Sequence, residues 1–558
     1  MYLCSSQPNR RYGTQCPVLQ KTLIINTMKR ILTPALLAVM LLAGCQATPE
    51  HEVLNAQAAQ EYLQPIRPGY EGRNPFWNKF AKKFIYAPAF DFPEAEGAVA
   101  YKFTVRQAVE TNAAEWTFTA ETPKAPLSPI WNEITPGDVI LTVDALDADG
   151  KAIATVGERK FLRDFPFKGP YNDAVRDYKD AAKMAIYYIH MMPAVQSWKT
   201  STIPDMGYDY NTYPCKIIGA TIRNEVMVAR EFPLLAEDAI TMAKNAATFL
   251  IDMSCPADSP LAYFPPTYYL DLRFSKEDWN QGKTMTLEAC AAGHAFLDLY
   301  DYTGEQMYYD RAIGIADTYL KIQREDGSYP IKVDFKTGEP VNAVSAMLHP
   351  LLNYVQRLRN QYGLTKYDII TEKGEKWMEE VAVETFNMTG QFEDVNVLGL
   401  EPYENLTNCT AAPYASYLLN KETVTEKELQ NAIDLIRLSE DQFTFWDTTP
   451  NQYGIRMIAT PCVFEQYKYQ KPVDHSAHNV AMAFLDLYEE TGDKLAFAKA
   501  KALIDNMTVV QNKGNGQIPT TWDFRTPYHD SNRSFWTNCT YAAVTALLRM
   551  DKLTENEK

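Results

Sequence analysis

Ala295 to Gly304 reads AFLDLYDYTG, and Ala483 to Gly492 reads AFLDLYEETG. Each copy runs through a Thr-Gly turn into an amphipathic stretch and then a loop ending in Pro. In the first copy that stretch contains Ala312, Ile313 and Ala316 and precedes DGSYP, Asp326 to Pro330. In the second it contains Ala498, Leu503 and Ile504 and precedes GNGQIP, which ends at Pro519. Apolar residues at three- and four-residue intervals on both sides of the turn predict two antiparallel helices. One hairpin cannot bury its own apolar face, so repeated hairpins must pack against neighbours, in an open stack or a closed ring.

Working outward, the helical pattern holds from Tyr171 to the C-terminus. Candidate helices fall near 173–198, 216–231, 234–252, 286–302, 305–323, 342–361, 370–387, 408–420, 425–443, 475–490, 494–511 and 537–551. Those opening with Thr286, Asn342, Asn408, His475 and Thr537 are rich in Ala, Cys, Thr and Leu, as helices surrounded by protein should be. Their partners carry charge on one face, as at Glu372, Lys373, Glu375, Lys376, Glu379 and Glu380. Six buried helices inside six amphipathic ones predict an (α/α)6 toroid over 169–558. The tetrapeptide TNCT heads two inner helices, at Thr407 and Thr537, with Asn408 and Asn538 as candidate N-caps.

Ahead of the helices, 84–168 alternates in short runs: AVAYKFTV from Ala98, EWTFTAE from Glu115, VILTVDAL from Val139 and AIATVGERKFL from Ala152. Asp149-Gly150 marks a hairpin between the last two. An antiparallel β-sandwich is expected, with Trp116 and Trp131 in its core. Residues 46–83 read as a polar tether.

The sequence from Met28, MKRILTPALLAVMLLAGC, has two positive charges, a short apolar run and Leu42-Ala43-Gly44-Cys45. This is a secretory signal too short to span a membrane comfortably. Its ending resembles a bacterial lipoprotein box, which implies lipidation at Cys45 and a periplasmic or outer-membrane location. Residues before Met28 look like an upstream extension, so 1–45 are set apart from the fold. The other cysteines show no spacing of a disulfide framework or metal site. Cys290, Cys409 and Cys539 read as small buried thiols. The chain has 558 residues, 46% of them hydrophobic, and a net charge of −16. Such an acidic balance argues against nucleic-acid binding, which needs a basic footprint.

The loops entering the inner helices are long: TSTIPDMGYDYNTYP from Thr200, PPTYYLDLRFSKEDWNQGK from Pro265, DGSYPIKVDFKTGEP from Asp326 and GQFEDVNVLGLEPYEN from Gly390. Two more begin at Phe445 and Gly514. In a ring of hairpins they converge on one face, where long loops on a rigid scaffold carry function. Aromatic faces beside carboxylates suit a sugar, whose C–H faces stack on rings while its hydroxyls need polar partners. The expected binding residues are Tyr208, Tyr268, Trp279, Tyr403, Trp446, Tyr467, His478, Trp522, His529 and Arg533.

The lipoprotein signal, the small β-domain and the hairpin ring with aromatic, acidic loops resemble the six-hairpin glycosidases and toroidal polysaccharide lyases of glycan-degrading bacteria. The chain is most similar in this respect to glycoside hydrolase family 154, which implies β-glucuronidase-like activity. No short motif transfers a catalytic residue, so the chemistry is read from residue type. Hydrolysis needs one protonated and one ionised carboxyl. Candidates are Asp205, Asp209, Glu404, Asp447, Glu465, Asp474, Asp523 and Asp530. Glu404 and Glu465 stand out because aromatic or apolar neighbours, in LEPYEN and CVFEQY, could raise a carboxyl towards the acid role.

His475 and His478 lie three apart at the head of an inner helix. With Asp474 they could bind metal, but no third ligand at diagnostic spacing accompanies them, and neither metal nor cofactor is expected. His529 and Arg533 could grip a uronic acid carboxylate, with Arg273, Lys283, Arg456, Lys468 and Lys471 adding positive charge. His349, before Pro350 in a helix that the proline should kink, reads as a satisfied core residue, as do His190 and His294. Three functions compete: hydrolysis of a terminal uronic acid by a carboxyl pair including Glu404, Glu465 or Asp209, β-elimination by a Tyr or His475, and glycan binding without catalysis.

Overall fold

The Thr-Gly turns of the repeat close as their sequence requires. Gly304 and Gly492 take φ of +71° and +75°, left-handed values that glycine adopts without a side-chain clash. The preceding threonines work in both directions. Thr303 Oγ1 donates to Leu299 O at 2.8 Å and accepts from Glu305 N at 3.2 Å. Thr491 does the same with Leu487 O at 2.6 Å and Asp493 N at 3.2 Å.

These turns belong to a computed structural model that describes residues 49–66, 77–108, 114–389, 392–447, 458–522 and 535–555. His51–Lys558 cluster as one unit and Met1–Glu50 as another. In the larger unit the helices are α1 (Glu50–Glu61, at its boundary), α2 (Tyr178–His190), α3 (Gly219–Glu231), α4 (Ala236–Met253), α5 (Ala289–Thr303), α6 (Gln306–Ile322) and α7 (His349–Tyr362). There follow α8 (Asp368–Trp377), α9 (Asn408–Leu419), α10 (Glu426–Phe443), α11 (Asp474–Thr491), α12 (Lys494–Val510) and α13 (Thr537–Glu555). The odd-numbered members from α3 onward touch in sequence, α3 to α5, α7, α9, α11 and α13, and α13 returns to α3. Each is backed by one further helix: α4, α6, α8, α10 and α12 in chain order, and α2 behind α13. The first and last long helices thus form a hairpin between chain ends.

The strands at the N-terminal side are β1 (Lys83–Phe84), β2 (Ala100–Gln107), β3 (Glu115–Ala120), β4 (Gly137–Leu146) and β5 (Ala152–Arg163). Among the described residues they make one sheet, β1-β5-β4-β2-β3, in place of the two sheets of the expected sandwich. Alternation puts Tyr101, Phe103, Val105, Val139, Leu141 and Val143 on one buried face. That face is covered by non-strand chain: Phe90 lies against Phe84 of β1 and Phe161 of β5 at 5.6 and 5.9 Å, and buried Trp131 donates Nε1 to Ile85 O at 2.7 Å. Aromatic bulk from irregular segments does the work of a second sheet. Trp116 is half-buried on the edge strand.

Part of the expected tether is also helix. Ala58, Tyr62 and Ile66 are buried, and Glu61 at the end of α1 pairs with Lys499 of α12 at 3.1 Å and Arg437 of α10 at 3.2 Å. Asp441 of α10 accepts from Ile85 N and Tyr86 N at 2.5 and 2.8 Å, and Lys83 donates to Asp441 O at 2.7 Å. The sheet is pinned to the helices by buried polar contacts.

Pro350 does not kink α7. It occupies the first turn, where its missing N–H costs no helical bond, and the helix begins seven residues later than the sequence pattern suggests.

Candidate active site

A cavity of about 550 Å³ opens where α3, α5, α7, α9, α11 and α13 begin, lined among others by Lys216, Arg223, Glu288, His349, Phe392, Glu393, Glu465, His475, His478, Trp536 and Asn538. A small recess bearing Tyr210, Tyr213, Arg273 and Asp394 adjoins it and shares Lys216, Glu393, Trp536 and Asn538. Each charged group comes from a different part of the chain. Lys216 sits in the π-helical turn Pro214–Ile218 that leads into α3, a widened turn of the kind often found at functional positions. Glu288 directly precedes α5, and Glu393 and Asp394 lie in the loop before α9.

Glu465 is carried by β7 (Cys462–Gln466), which pairs with β6 (Thr444–Phe445) and β8 (Tyr469–Pro472). Thr407 Oγ1 donates to Glu465 O at 2.7 Å, and Asn408 Nδ2 donates to Phe464 O at 2.5 Å and Glu465 O at 3.2 Å. Asn408 therefore clamps the strand and is not the N-cap. Thr407 is, accepting from Cys409 N at 3.1 Å. Strand alternation sends Glu465 into the cavity while Phe464 and Gln466 line a second recess of about 220 Å³.

The electrostatics are those of crowded, buried carboxyls. Burial, and then Asp394, push Glu465 up to about 8. Burial, and then Glu393, raise Glu288 to about 8 and Asp394 to about 6. Lys216 meets Glu393 at 2.5 Å. Its burial favours the neutral amine, but Glu393, Glu288 and Asp394 together outweigh that and lift it well above an ordinary lysine. Burial lowers the three histidines: His475 to about 3, helped by His478, Lys216 and His349, His349 to about 3, and His478 to about 4. All three are neutral imidazoles at neutral pH. The buried His349 Nδ1, His475 Nδ1 and Asn538 Oδ1 have no hydrogen-bond partner, so cavity-lining residues hold polar atoms that a hydroxyl-bearing ligand would satisfy. His349 is thus not the satisfied core residue expected, whereas His190 is, bonded to Glu225 at 2.6 Å. Among the described residues no group of three or more His, Cys, Asp or Glu could hold a metal ion.

Of the expected site residues, Glu465, His475 and His478 meet in the cavity, with His478 Nε2 at 3.1 Å from Thr545 Oγ1. Glu404 does not. It lines the second recess, pairs with Lys468, and is held below the usual glutamate range by the Lys468 hydrogen bond and the Glu401 N–H. Asp209 stands outside the cavity, paired at 3.3 Å with Arg273 of the small recess.

The rings mostly support the walls. Tyr268 OH donates to Glu393 O at 2.9 Å and so holds the acidic loop. Tyr208 is buried and donates to Phe535 O at 2.8 Å, and Tyr403 donates to Thr385 O at 3.0 Å. Tyr467 lines the second recess. Trp446 is core, edge-on to Phe167 at 5.0 Å with Nε1 donating to Glu440. Trp522 is buried, and Trp279 O accepts from Lys332 at 3.1 Å; neither lines the cavity. Cys45, Asp523, His529, Asp530, Arg533 and Arg456 lie outside the described residues.

Sequence reasoning passed over Lys216, Glu288, Glu393, Asp394 and Trp536. Glu393 follows Phe392 in GQFEDVN and Glu288 follows Leu287 in TLEAC, the same acid-beside-apolar signal that singled out Glu465.

No family model and no curated protein matches the sequence. Among solved structures, a family 76 glycoside hydrolase from a bovine Bacteroides thetaiotaomicron strain is 10% identical with a TM-score of 0.43, covering 84% of this chain and 98% of that one. A GH76 α-mannanase from Bacteroides thetaiotaomicron is 14% identical with a TM-score of 0.44, covering 68% and 98%. An unsaturated glucuronyl hydrolase specific for heparin is 12% identical with a TM-score of 0.42, covering 68% and 98%. At such identities and TM-scores, fold and site rest on the helix pairings and side chains of this chain itself.

Proposed function

We propose that the circuit of paired helices is an (α/α)6 toroid and that its cavity hydrolyses a glycosidic bond. The observation that carries the reading is Glu465, a buried carboxyl raised to about 8, beside Asp394, raised only to about 6. Between those values one carboxyl holds a proton for the leaving oxygen and the other is ionised to act as base or nucleophile. Glu288, also raised to about 8, is a second protonated carboxyl that can donate to a sugar hydroxyl. Trp536 offers a ring for a sugar face. Lys216 in the cavity and Arg273 in the adjoining recess supply the positive charge that favours a terminal uronic acid. The Met28 signal and the LAGC ending at Cys45 support an exported, lipid-anchored enzyme.

A second reading is β-elimination from a uronate, favoured by the neutral His475 and His349 with unpartnered Nδ1 atoms, either of which could remove a carbon-bound proton. Incubation with a panel of uronic-acid-containing glycans separates the two. Hydrolysis gives new reducing ends without ultraviolet absorbance, and elimination gives an absorbing unsaturated product. The hydrolytic rate should be bell-shaped in pH with limbs near 6 and 8. An absorbing product, or no product from any glycan, contradicts the reading.

A further inference from the structure

The polarity of one buried hydrogen-bond chain can be worked out from its far end. Lys468 N, a backbone N–H that can only donate, lies 2.8 Å from Asn405 Oδ1. Asn405 must therefore turn its amide nitrogen the other way, and Nδ2 donates to Gln466 Oε1 at 2.6 Å. With its oxygen occupied as acceptor, Gln466 presents Nε2 to Glu465 Oε2 at 3.1 Å. A backbone group thus decides the orientation of two side-chain amides in turn. Asn405 is fully buried and Gln466 is 3% exposed, so water does not compete for these bonds. Gln466 lines the second recess and not the cavity, and reaches the Glu465 carboxyl from behind. Among the described residues it is the side chain that hydrogen-bonds that carboxyl.

We propose that Asn405 and Gln466 are positioning residues that keep Glu465 Oε2 an acceptor and so confine the acidic proton to Oε1, the oxygen left for the ligand. The inference rests on Glu465 being the general acid. A carboxyl free to protonate on either oxygen would present the proton correctly in only part of its population; this chain removes the choice. The charged and titratable groups that also bear on Glu465 are Asp394, Glu393, Lys216, Cys409 and Cys539. None of them belongs to the chain of amides, so it can be altered independently.

The test is kinetic. Gln466→Glu keeps the length and the oxygen that Asn405 needs but replaces the N–H offered to Glu465, and Gln466→Met removes both bonds. Both should lower kcat about tenfold or more on a glycoside with a poor leaving group. Both should also move the alkaline limb of the pH profile up by about one unit, because the lost bond favoured the ionised carboxylate. Asn405→Ala should shift the limb in the same direction by less. If these variants change only thermal stability and leave rate and limb at wild-type values while Glu465→Gln is inactive, the positioning role is overturned and the acid assignment stands. If Glu465→Gln itself turns over normally, the acid assignment falls and this inference with it.

Discussion

Glu465 illustrates what a buried, protonated carboxyl costs its protein. Its folded-state value of about 8 lies above the ordinary glutamate value near 4.5, so the native state holds a proton that the unfolded chain has released. Stability associated with that proton is complete below about pH 4.5 and declines as pH rises towards 8. Glu465→Gln, which mimics the protonated form, should therefore stabilise the protein increasingly over that interval, by on the order of 4 kcal/mol at pH 8. Thermal melts of both proteins at pH 5 and pH 8 check this, and a stability difference independent of pH contradicts it. At this scale the sequence was informative about chemistry and blind to partners. Apolar context pointed to Glu465, which lines the cavity and is raised by burial. The same context misled at Glu404, because its ion pair with Lys468 spans a separation that no local pattern encodes. His349 was misjudged for the complementary reason, since an unpartnered Nδ1 can be recognised only once its surroundings are assembled.

At the scale of elements, the repeated motif contains a device beyond its turn. Its aspartates link neighbouring inner helices. Asp298 on α5 pairs with Arg223 on α3 at 2.6 Å and Arg357 on α7 at 2.7 Å, and Asp486 on α11 pairs with Arg549 on α13 at 2.6 Å. Burial alone would raise Asp298, but Arg223 and Arg357 outweigh it and hold the carboxyl below the usual range. Asp298→Ala leaves two guanidiniums short of a partner and should cost about 3 kcal/mol in urea unfolding; a loss within 0.5 kcal/mol, roughly the size of a neutral surface change, would deny the aspartate this role. The helices themselves were legible because their apolar spacing is local, and the observed pairs follow the expected ones. The β-domain was less so. Alternation in β2 and β4 revealed strands with one buried face, but any apolar layer can cover such a face, and here Phe90 and Trp131 do so in place of a second sheet.

Across the whole unit from His51 to Lys558, the circuit is closed where α13 returns to α3 with α2 behind it, and α1 is fastened to α10 and α12 through Glu61. Burial would raise Glu61, yet Lys499, Arg437 and the Tyr86 hydroxyl bring it down to about 2. The sign is opposite to that of Glu465. Stability from this network is complete above about pH 4.5 and is lost as pH falls towards 2. Glu61→Gln should therefore unfold more readily than wild type at neutral pH, with the difference narrowing in acid; equal acid transitions combined with equal neutral stability would contradict it. The circuit could be anticipated from repeats, because paired helices with one apolar face have few ways to pack. The meeting of Lys216, Glu288, Glu393 and Glu465 in one cavity, with Asp394 in the recess beside it, could not, since they are brought from distant turns, loops and strands. The proposed transfer of the Glu465 proton to a departing sugar oxygen is measured directly by the rate ratio between wild type and Glu465→Gln on two glycosides. A loss of about a hundredfold or more is expected where the leaving group needs a proton, and little loss where an activated leaving group does not. Equal losses on both would contradict it.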